Sequence, residues 1–487
     1  MIDEDLIKIL CEDNILDNPE VLSEYSGKNG FKPARLPSLV LRPANIEELK
    51  GIVNLANTKK IPLVPVSSGI PHFRGDSTPS VENAVIVDLR RMNKIIRIDP
   101  ANRVAIVEPG VTFGNLQGEL AKTGMSAYLP LSPRKNKSVL ASVLERDPIT
   151  MPGVHFDSTD PMLCAEIVFG TGDSMRTGEA AGPDTLEQQW EIGKAQISPF
   201  GPTQMDPQRL VSGAQGTIGI LTWMSLKCRF LSEKSSAFLI PNNSLGPLID
   251  LTYKLTRIRF TGNIFILDAL NLACLLKNTP EEIKTSIKKL APWQMFVSCE
   301  GYGILPEEKI RYLEADLMDM ALKCSVKPER ESGGINAVDV ASRLAVPSSE
   351  PYWKQRLSGS FKELFFLTTL EKTPEFTKIM DQILMNNSYP RSNMGVYIQP
   401  VAQGTSCHCE FDLFYNPENQ TEIDVTRRVI AEAADKMETM GAFFSRPYPE
   451  WSDIAYRRSP DTAEMQKKIK AIFDPNFILN PGRLCFK

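Results

Sequence analysis

Ser67-Ser68-Gly69-Ile70-Pro71-His72-Phe73-Arg74-Gly75-Asp76 is a loop of mostly small residues held between two apolar runs. Ile61-Pro62-Leu63-Val64-Pro65-Val66 precedes it and Ala84-Val85-Ile86-Val87-Asp88-Leu89 follows. Both runs have the β-branched, apolar character of strands. A loop so placed lets backbone N–H groups approach a diphosphate without interference from Cβ atoms. Alone, such a loop is an ordinary turn. Its meaning comes from what lies further out.

Outward from it stand Met92-Asn93-Lys94-Ile95 and Val107-Glu108-Pro109-Gly110-Val111-Thr112, then Pro133 and Ser138-Val139-Leu140-Ala141-Ser142-Val143-Leu144-Glu145-Arg146. Next come Ala165-Glu166-Ile167-Val168-Phe169-Gly170-Thr171-Gly172-Asp173-Ser174, Pro199-Phe200-Gly201-Pro202 and Gly216-Thr217-Ile218-Gly219-Ile220-Leu221-Thr222. Phe473-Asp474-Pro475-Asn476-Phe477-Ile478-Leu479-Asn480-Pro481-Gly482-Arg483 closes the series. This ordered set resembles the FAD-binding domain of the vanillyl-alcohol oxidase and p-cresol methylhydroxylase (PCMH-type) flavoproteins. The likeness covers about residues 36–231 and the C-terminal stretch; between them it is thin. It implies an α+β fold: a PCMH-type FAD-binding domain of two subdomains over residues 1–232, then an α+β cap domain over 233–450. The cap would be an antiparallel sheet flanked by helices, and segment 451–487 would return to the FAD domain.

Composition agrees with this reading without demanding it. A chain of 487 residues with 42% hydrophobic residues can bury large cores. Net charge is −4 with signs mixed throughout, so there is no basic stripe for nucleic acid. The acidic start Met1-Ile2-Asp3-Glu4-Asp5 is unlike a signal peptide, and no apolar run is long enough to span a bilayer. A cytoplasmic protein is expected, as a homo- or hetero-oligomer. The nine cysteines lack paired spacing, which argues against a disulfide framework, an iron–sulfur cluster or structural zinc. Alternation along a strand at Cys407-His408-Cys409 puts both sulfurs on one face and His408 on the other, so no metal site is expected there.

Local patterns predict a short leading helix over 4–12 and a helix capped by Asn45 with Glu48 at N3. Strands are expected over 61–67, 84–89, 104–108, 166–169, 174–177, 394–399 and 407–415. Residues 179–209 read as a surface excursion. Helices are expected over 280–290, 306–323 and 424–440, the last ended by Gly441.

The resemblance places Ser67, Ser68, Gly69, Ile70, His72 and Gly75 along the FAD diphosphate. It gives Pro133, Ser138, Val139, Ser142 and Arg146 as a second flavin-contact stretch. Ile218, Gly219, Ile220 and Thr222 would read the adenine and ribityl side, and Arg483 would finish the site. There are departures. Relatives carry Gly-Arg-Asn where this chain has Gly69-Ile70-Pro71, which removes a cation and an amide donor; Arg74 and His72 are close enough to replace the charge. Ala141 and Ser142 stand for the usual Gly-Asn, and Asp147 for a frequent Gly. No residue aligns securely with the His or Tyr used for covalent attachment, so non-covalent FAD is expected.

Of the three histidines, His72, His155 and His408, each falls in or near a flavin-facing segment of the family, and imidazole is the cheapest base at neutral pH. Asp157, nine residues before Glu166, matches the acidic residue that faces the flavin in the oxidase branch. Arg74, with Arg446 or Tyr448, would orient the substrate. The expected activity is an FAD-dependent oxidoreductase taking hydride from an alcohol, benzylic, alkylphenol or hydroxy-acid carbon. A dehydrogenase passing electrons to a separate, protein acceptor is favoured over an oxidase. One alternative is a non-catalytic or electron-relay subunit of a larger redox complex. Another is a D-lactate- or glycolate-type FAD dehydrogenase, although the Gly-rich loop and His-rich cap typical of those enzymes are not seen.

Overall fold

The computed structural model describes residues 4–26, 35–73, 77–153, 161–201 and 208–486. Three large sheets organise them. In the first, β2 (Leu39–Leu41), β4 (Val85–Asp88) and β3 (Leu63–Val66) run parallel, and β1 (Ile15–Leu16) pairs antiparallel on the β2 edge. Helix Ile46–Lys59 makes the crossover from β2 to β3. Asn45 caps it through Glu48 N–H, and Leu49, Ile52, Val53 and Ala56 face the sheet. The leading helix ends at Ile9, short of the predicted limit, and a single tighter turn follows at Glu12–Asn14.

The second sheet is antiparallel. β5 (Ile95–Asp99), β6 (Val104–Val107), β10 (Gly219–Phe230), β8 (Met162–Phe169) and β9 (Ser174–Arg176) lie in that order, with β7 (Met125–Ala127) on the far end of β10. Its apolar face packs helix Phe113–Lys122 and the short helix Val139–Leu144.

The third sheet has the order β11 (Lys234–Asn242), β13 (Trp293–Gly301), β12 (Ile264–Asp268), β17 (Met394–Val401), β18 (Ser406–Tyr415) and β16 (Ser360–Thr368). A minor hairpin of β14 (Glu331–Ser332) and β15 (Ile335–Asn336) stands apart. All neighbours in the third sheet are antiparallel and helices cover it, as the resemblance implied. Helix Pro306–Lys323 has the predicted limits. The helix expected from residue 424 begins earlier, at Gln420, because Asn419 caps it by accepting from the N–H groups of Thr421 and Glu422. Helix 280–290 stops at Ile287.

The last described segment crosses back to the first sheet. Leu63 and Leu479 form a parallel bridge, Leu63 N–H donating to Ile478 and Asn480 N–H to Leu63. Among the described residues no helix is long and apolar enough to cross a membrane.

Candidate functional site

A cleft opens where the three sheets meet. Its wider part, about 1080 Å³ including solvent at the mouth, runs from Ser67, Ser68 and Pro71 across Pro133 to Tyr352 and Phe361. A second part of about 730 Å³ shares Val66, Ser67 and Ala141 with it and continues to Gly216, Gly219 and Ile220. The joined space is long rather than round, and both loop and short helix border both parts.

The loop is held from below. Gly69 N–H donates to Asn136 O at 2.8 Å, and a Cβ on Gly69 would lie 3.0 Å from the Asn136 side chain. Ser68 Oγ accepts the Ser138 N–H at 3.1 Å, while Ser138 Oγ caps helix Val139–Leu144 by accepting from Ala141 N–H and itself donates to Pro109 O. Arg134 fills the concave side of the loop, donating to Ile70 O at 2.9 Å and Pro71 O at 2.5 Å and pairing with Glu350 at 3.1 Å. At the loop's outer end the His72 ring stacks on Tyr25, 6.0 Å between centroids. The Tyr25 hydroxyl in turn donates to Asp88, which also pairs with Arg90 and Arg42. Those partners hold the Asp88 carboxyl below the ordinary carboxylate range although burial works the other way.

The cap-side wall carries charge. Lys354, in the turn Trp353–Gln355, is buried and donates to Glu410 at 2.5 Å, Glu363 at 2.7 Å and Asp412 at 2.8 Å. Glu363 and Asp412 are directly opposed across β16 and β18, where like charges repel unless a cation stands between them. Glu363, Glu410 and Lys354 face the cleft with Tyr352, Phe361 and Tyr397. Behind them Asp412 accepts from Asn271 Nδ2 at 2.7 Å. That amide fits because position 395 on β17 is glycine; a Cβ there would come 2.0 Å from Asn271 Oδ1. Burial would pull Lys354 down, yet the three carboxylates together push it well above the usual lysine range. Burial pushes Asp412 well up, and Glu410, against the same burial, is brought below its ordinary value chiefly by Lys354.

His408 extends this cluster away from the cleft. Its Nε2 lies 2.9 Å from Glu410 Oε2 and its Nδ1 3.0 Å from Arg446 Nη2. Arg446 also donates to Asp147 at 3.3 Å and lies 4.0 Å over the Phe365 ring. Burial lowers the His408 pKa.

A model of an "FAD binding domain" matches residues 37–146, and one of "FAD linked oxidases, C-terminal domain" matches residues 452–484. Over 98% of this chain and 93% of its own length, the flavoprotein subunit of 4-cresol dehydrogenase (hydroxylating) from Pseudomonas putida is 24% identical. A glycolate oxidase subunit of Bacillus subtilis is 26% identical over 99% of this chain and 96% of its own. The crystal structure of p-cresol methylhydroxylase with substrate bound superposes with a TM-score of 0.84 at 20% identity, covering 99% of this chain and 96% of that one. This chain carries an FAD-binding domain and has the fold of the PCMH-type flavoproteins.

FAD is the cofactor these domains bind, and the cleft suits it. The Ser77 hydroxyl and Gln215 Oε1 are buried in its walls without a hydrogen-bond partner among the described residues, as donors and acceptors meant for a ligand would be. Gly216, at φ +68°, lets the second cavity's wall close on Pro65, with a Cβ only 2.4 Å from that ring. In this flavoprotein Ser67, Ser68, His72 and Pro133 line the wider cavity, and Gly219, Ile220, Arg446 and Tyr448 the second.

Other residues singled out in the sequence sit elsewhere. Gly69 spends its N–H on Asn136, and the Ile70 carbonyl accepts from Arg134. Val139 and Ile218 pack in the apolar core of the second sheet, and Thr222 donates to Glu166 at 2.6 Å. Ser142 donates to Asp147, and Arg146 donates to Ser445 O across the domain junction. Arg483 is buried and donates to Thr78 O behind the loop. His408 does not reach either cavity; Glu410 reaches the cleft in its place. Arg74, Gly75, His155 and Asp157 lie outside the described residues.

Arg134, Lys354, Glu363 and Glu410 were missed. Arg134 was within reach, since it follows Pro133; its guanidinium holds the Ile70 and Pro71 carbonyls of the loop. The other three come from separate segments of the cap and share no local motif.

Proposed function

We propose that this flavoprotein is a dehydrogenase of neutral aromatic alcohols or alkylphenols. The observation that carries the reading is the cap-side wall, where Tyr352, Phe361 and Tyr397 form an aromatic surface beside the carboxylates of Glu363 and Glu410. Arg134, Arg446, Lys137 and Lys354 are each already paired with a carboxylate. A hydroxy acid would set its own carboxylate against Glu363 and Glu410, which costs affinity. A flat neutral ring stacks on the aromatic surface, and its hydroxyl donates to a carboxylate.

FAD bound non-covalently in the cleft supplies the hydride acceptor. Ser67, Ser68, Ser77 and Gln215 are placed to hold it, with Arg134 keeping the loop in shape. Tyr352 and Phe361 orient the ring, and Glu410 takes the hydroxyl proton as the carbon gives up hydride. The name of the 4-cresol relative, a flavoprotein subunit, supports a separate electron acceptor.

The test is an anaerobic titration of the yellow protein, followed by its visible spectrum. Bleaching by 4-hydroxybenzyl alcohol and not by glycolate or D-lactate is expected, and Glu410→Gln should slow it by about 10²–10⁴-fold. Bleaching by the hydroxy acids alone would reverse the substrate assignment. Acid precipitation should leave the flavin in the supernatant.

A further inference from the structure

One ammonium cannot neutralise three carboxylates, so the cluster around Lys354 has to divide its charge. Glu410 has the most favourable partners for an ionised group: Lys354 on Oε1 and His408 on Oε2. Asp412 is fully buried, with a neutral amide on its second oxygen. The proton most easily stays on Asp412.

His408 carries a second constraint. A guanidinium nitrogen has only protons to offer, so Arg446 Nη2 must donate and His408 Nδ1 must accept. The proton of a neutral His408 is then on Nε2 and points at Glu410. An imidazolium would set an Nδ1–H against the guanidinium, 3.0 Å away. His408 is therefore a donor, not a base, in this arrangement.

We propose that Lys354 and His408 are positioning residues that hold Glu410 ionised and aimed into the cleft, with Arg446 fixing the imidazole as a neutral Nε2–H donor. This rests on Glu410 being the proton acceptor, as argued above. The groups facing Glu410 from each neighbouring element are Lys354 and Tyr352 near the Trp353–Gln355 turn, Glu363 on β16, Tyr397 on β17, and His408 with Asp412 on its own strand. The depressed value for Glu410 and the raised one for Asp412 agree with the geometry. A base prepared in this way needs no proton removed before substrate enters, and the acid limb of catalysis falls at unusually low pH.

The chain has only three histidines, so its imidazole ¹⁵N spectrum is simple enough to decide this in the intact holoprotein. His72→Gln and His155→Gln assign two spin systems by their loss, leaving His408. The expected pattern is a neutral Nε2–H ring unchanged from about pH 8 to 5. Arg446→Met should let that ring titrate or exchange tautomers. In kcat/KM, Lys354→Met combined with Asp412→Asn should move the acid limb up by about one pH unit or more, while Asp412→Asn alone leaves it in place. A wild-type His408 that titrates in this range, or that carries its proton on Nδ1, overturns the inference, as does an unmoved limb in the double variant. Full activity in Glu410→Gln would instead sink the assignment of Glu410, whatever the imidazole spectrum says.

Discussion

Asp88 shows how much one side chain can organise. Its carboxylate gathers Tyr25, Arg42 and Arg90 beneath the loop, and Tyr25 in turn carries the His72 ring. Asp88→Asn should cost about 1.5–3 kcal/mol at neutral pH, as lost hydrogen bonds to a charged group do. The sign of its pH dependence follows from a depressed carboxyl value in the folded state. That stability is present above the unfolded value of about 3.9 and is lost as pH falls through the folded one. Melting curves of the two proteins should differ clearly at pH 7 and converge under strong acid. Asp88 could be picked out from its place in the run Val85-Ile86-Val87-Asp88-Leu89, since an acid at the end of an apolar strand asks for partners. Arg90 stands two residues on, but Tyr25 and Arg42 could not be picked out, because they lie 63 and 46 residues away in sequence. Lys354 is likewise separated from Glu410 and Asp412 by 56 and 58 residues. His408 was visible as one of three histidines, but its role depends on Arg446, 38 residues downstream.

Helix Val139–Leu144 illustrates what local patterns disclose. It has six residues, too few to be stable alone, and its start depends on Ser138. Ser138 caps the helix and its backbone N–H reaches Ser68 of the loop. Ser138→Ala should lower stability by about 1 kcal/mol and also weaken FAD binding, read by melting temperature and by flavin fluorescence on dilution. A variant that melts earlier yet keeps its flavin would separate the two roles. Capping residues mark helix starts well: Asn45 is one, and Asn419 sets the start of the long helix four residues before the expected 424. Amphipathic spacing placed Pro306–Lys323 at its observed limits. Strand pairing is another matter. Alternation places Cys407 and Cys409 on a common face, and both pack in the apolar core. Nothing in that alternation says that β18 lies between β17 and β16.

Across the molecule, buried charge ties distant segments together. Arg229 of β10 pairs with Glu300 of β13 at 2.6 Å, joining the second sheet to the third. At the other end Lys470 is fully buried and donates to Asp474, Thr217 O and Leu479 O. Burial lowers its pKa, so the pair is retained for what it joins rather than for its own energy. Lys470→Met should cost about 3–5 kcal/mol by leaving Asp474 charged and alone. Released flavin at a temperature where the wild type stays yellow would be the readout; a variant as stable as the wild type would show that Asp474 finds another partner.

The bridge between Leu63 and Leu479 has a consequence for how the protein is made. The loop after Val66 emerges early from the ribosome, but the segment that pairs with the strand before it appears more than four hundred residues later. At typical elongation rates of about 5–20 residues per second, the nascent first sheet waits tens of seconds with one edge uncovered. A chain interrupted anywhere before Leu479 lacks the backbone that pairs with this edge.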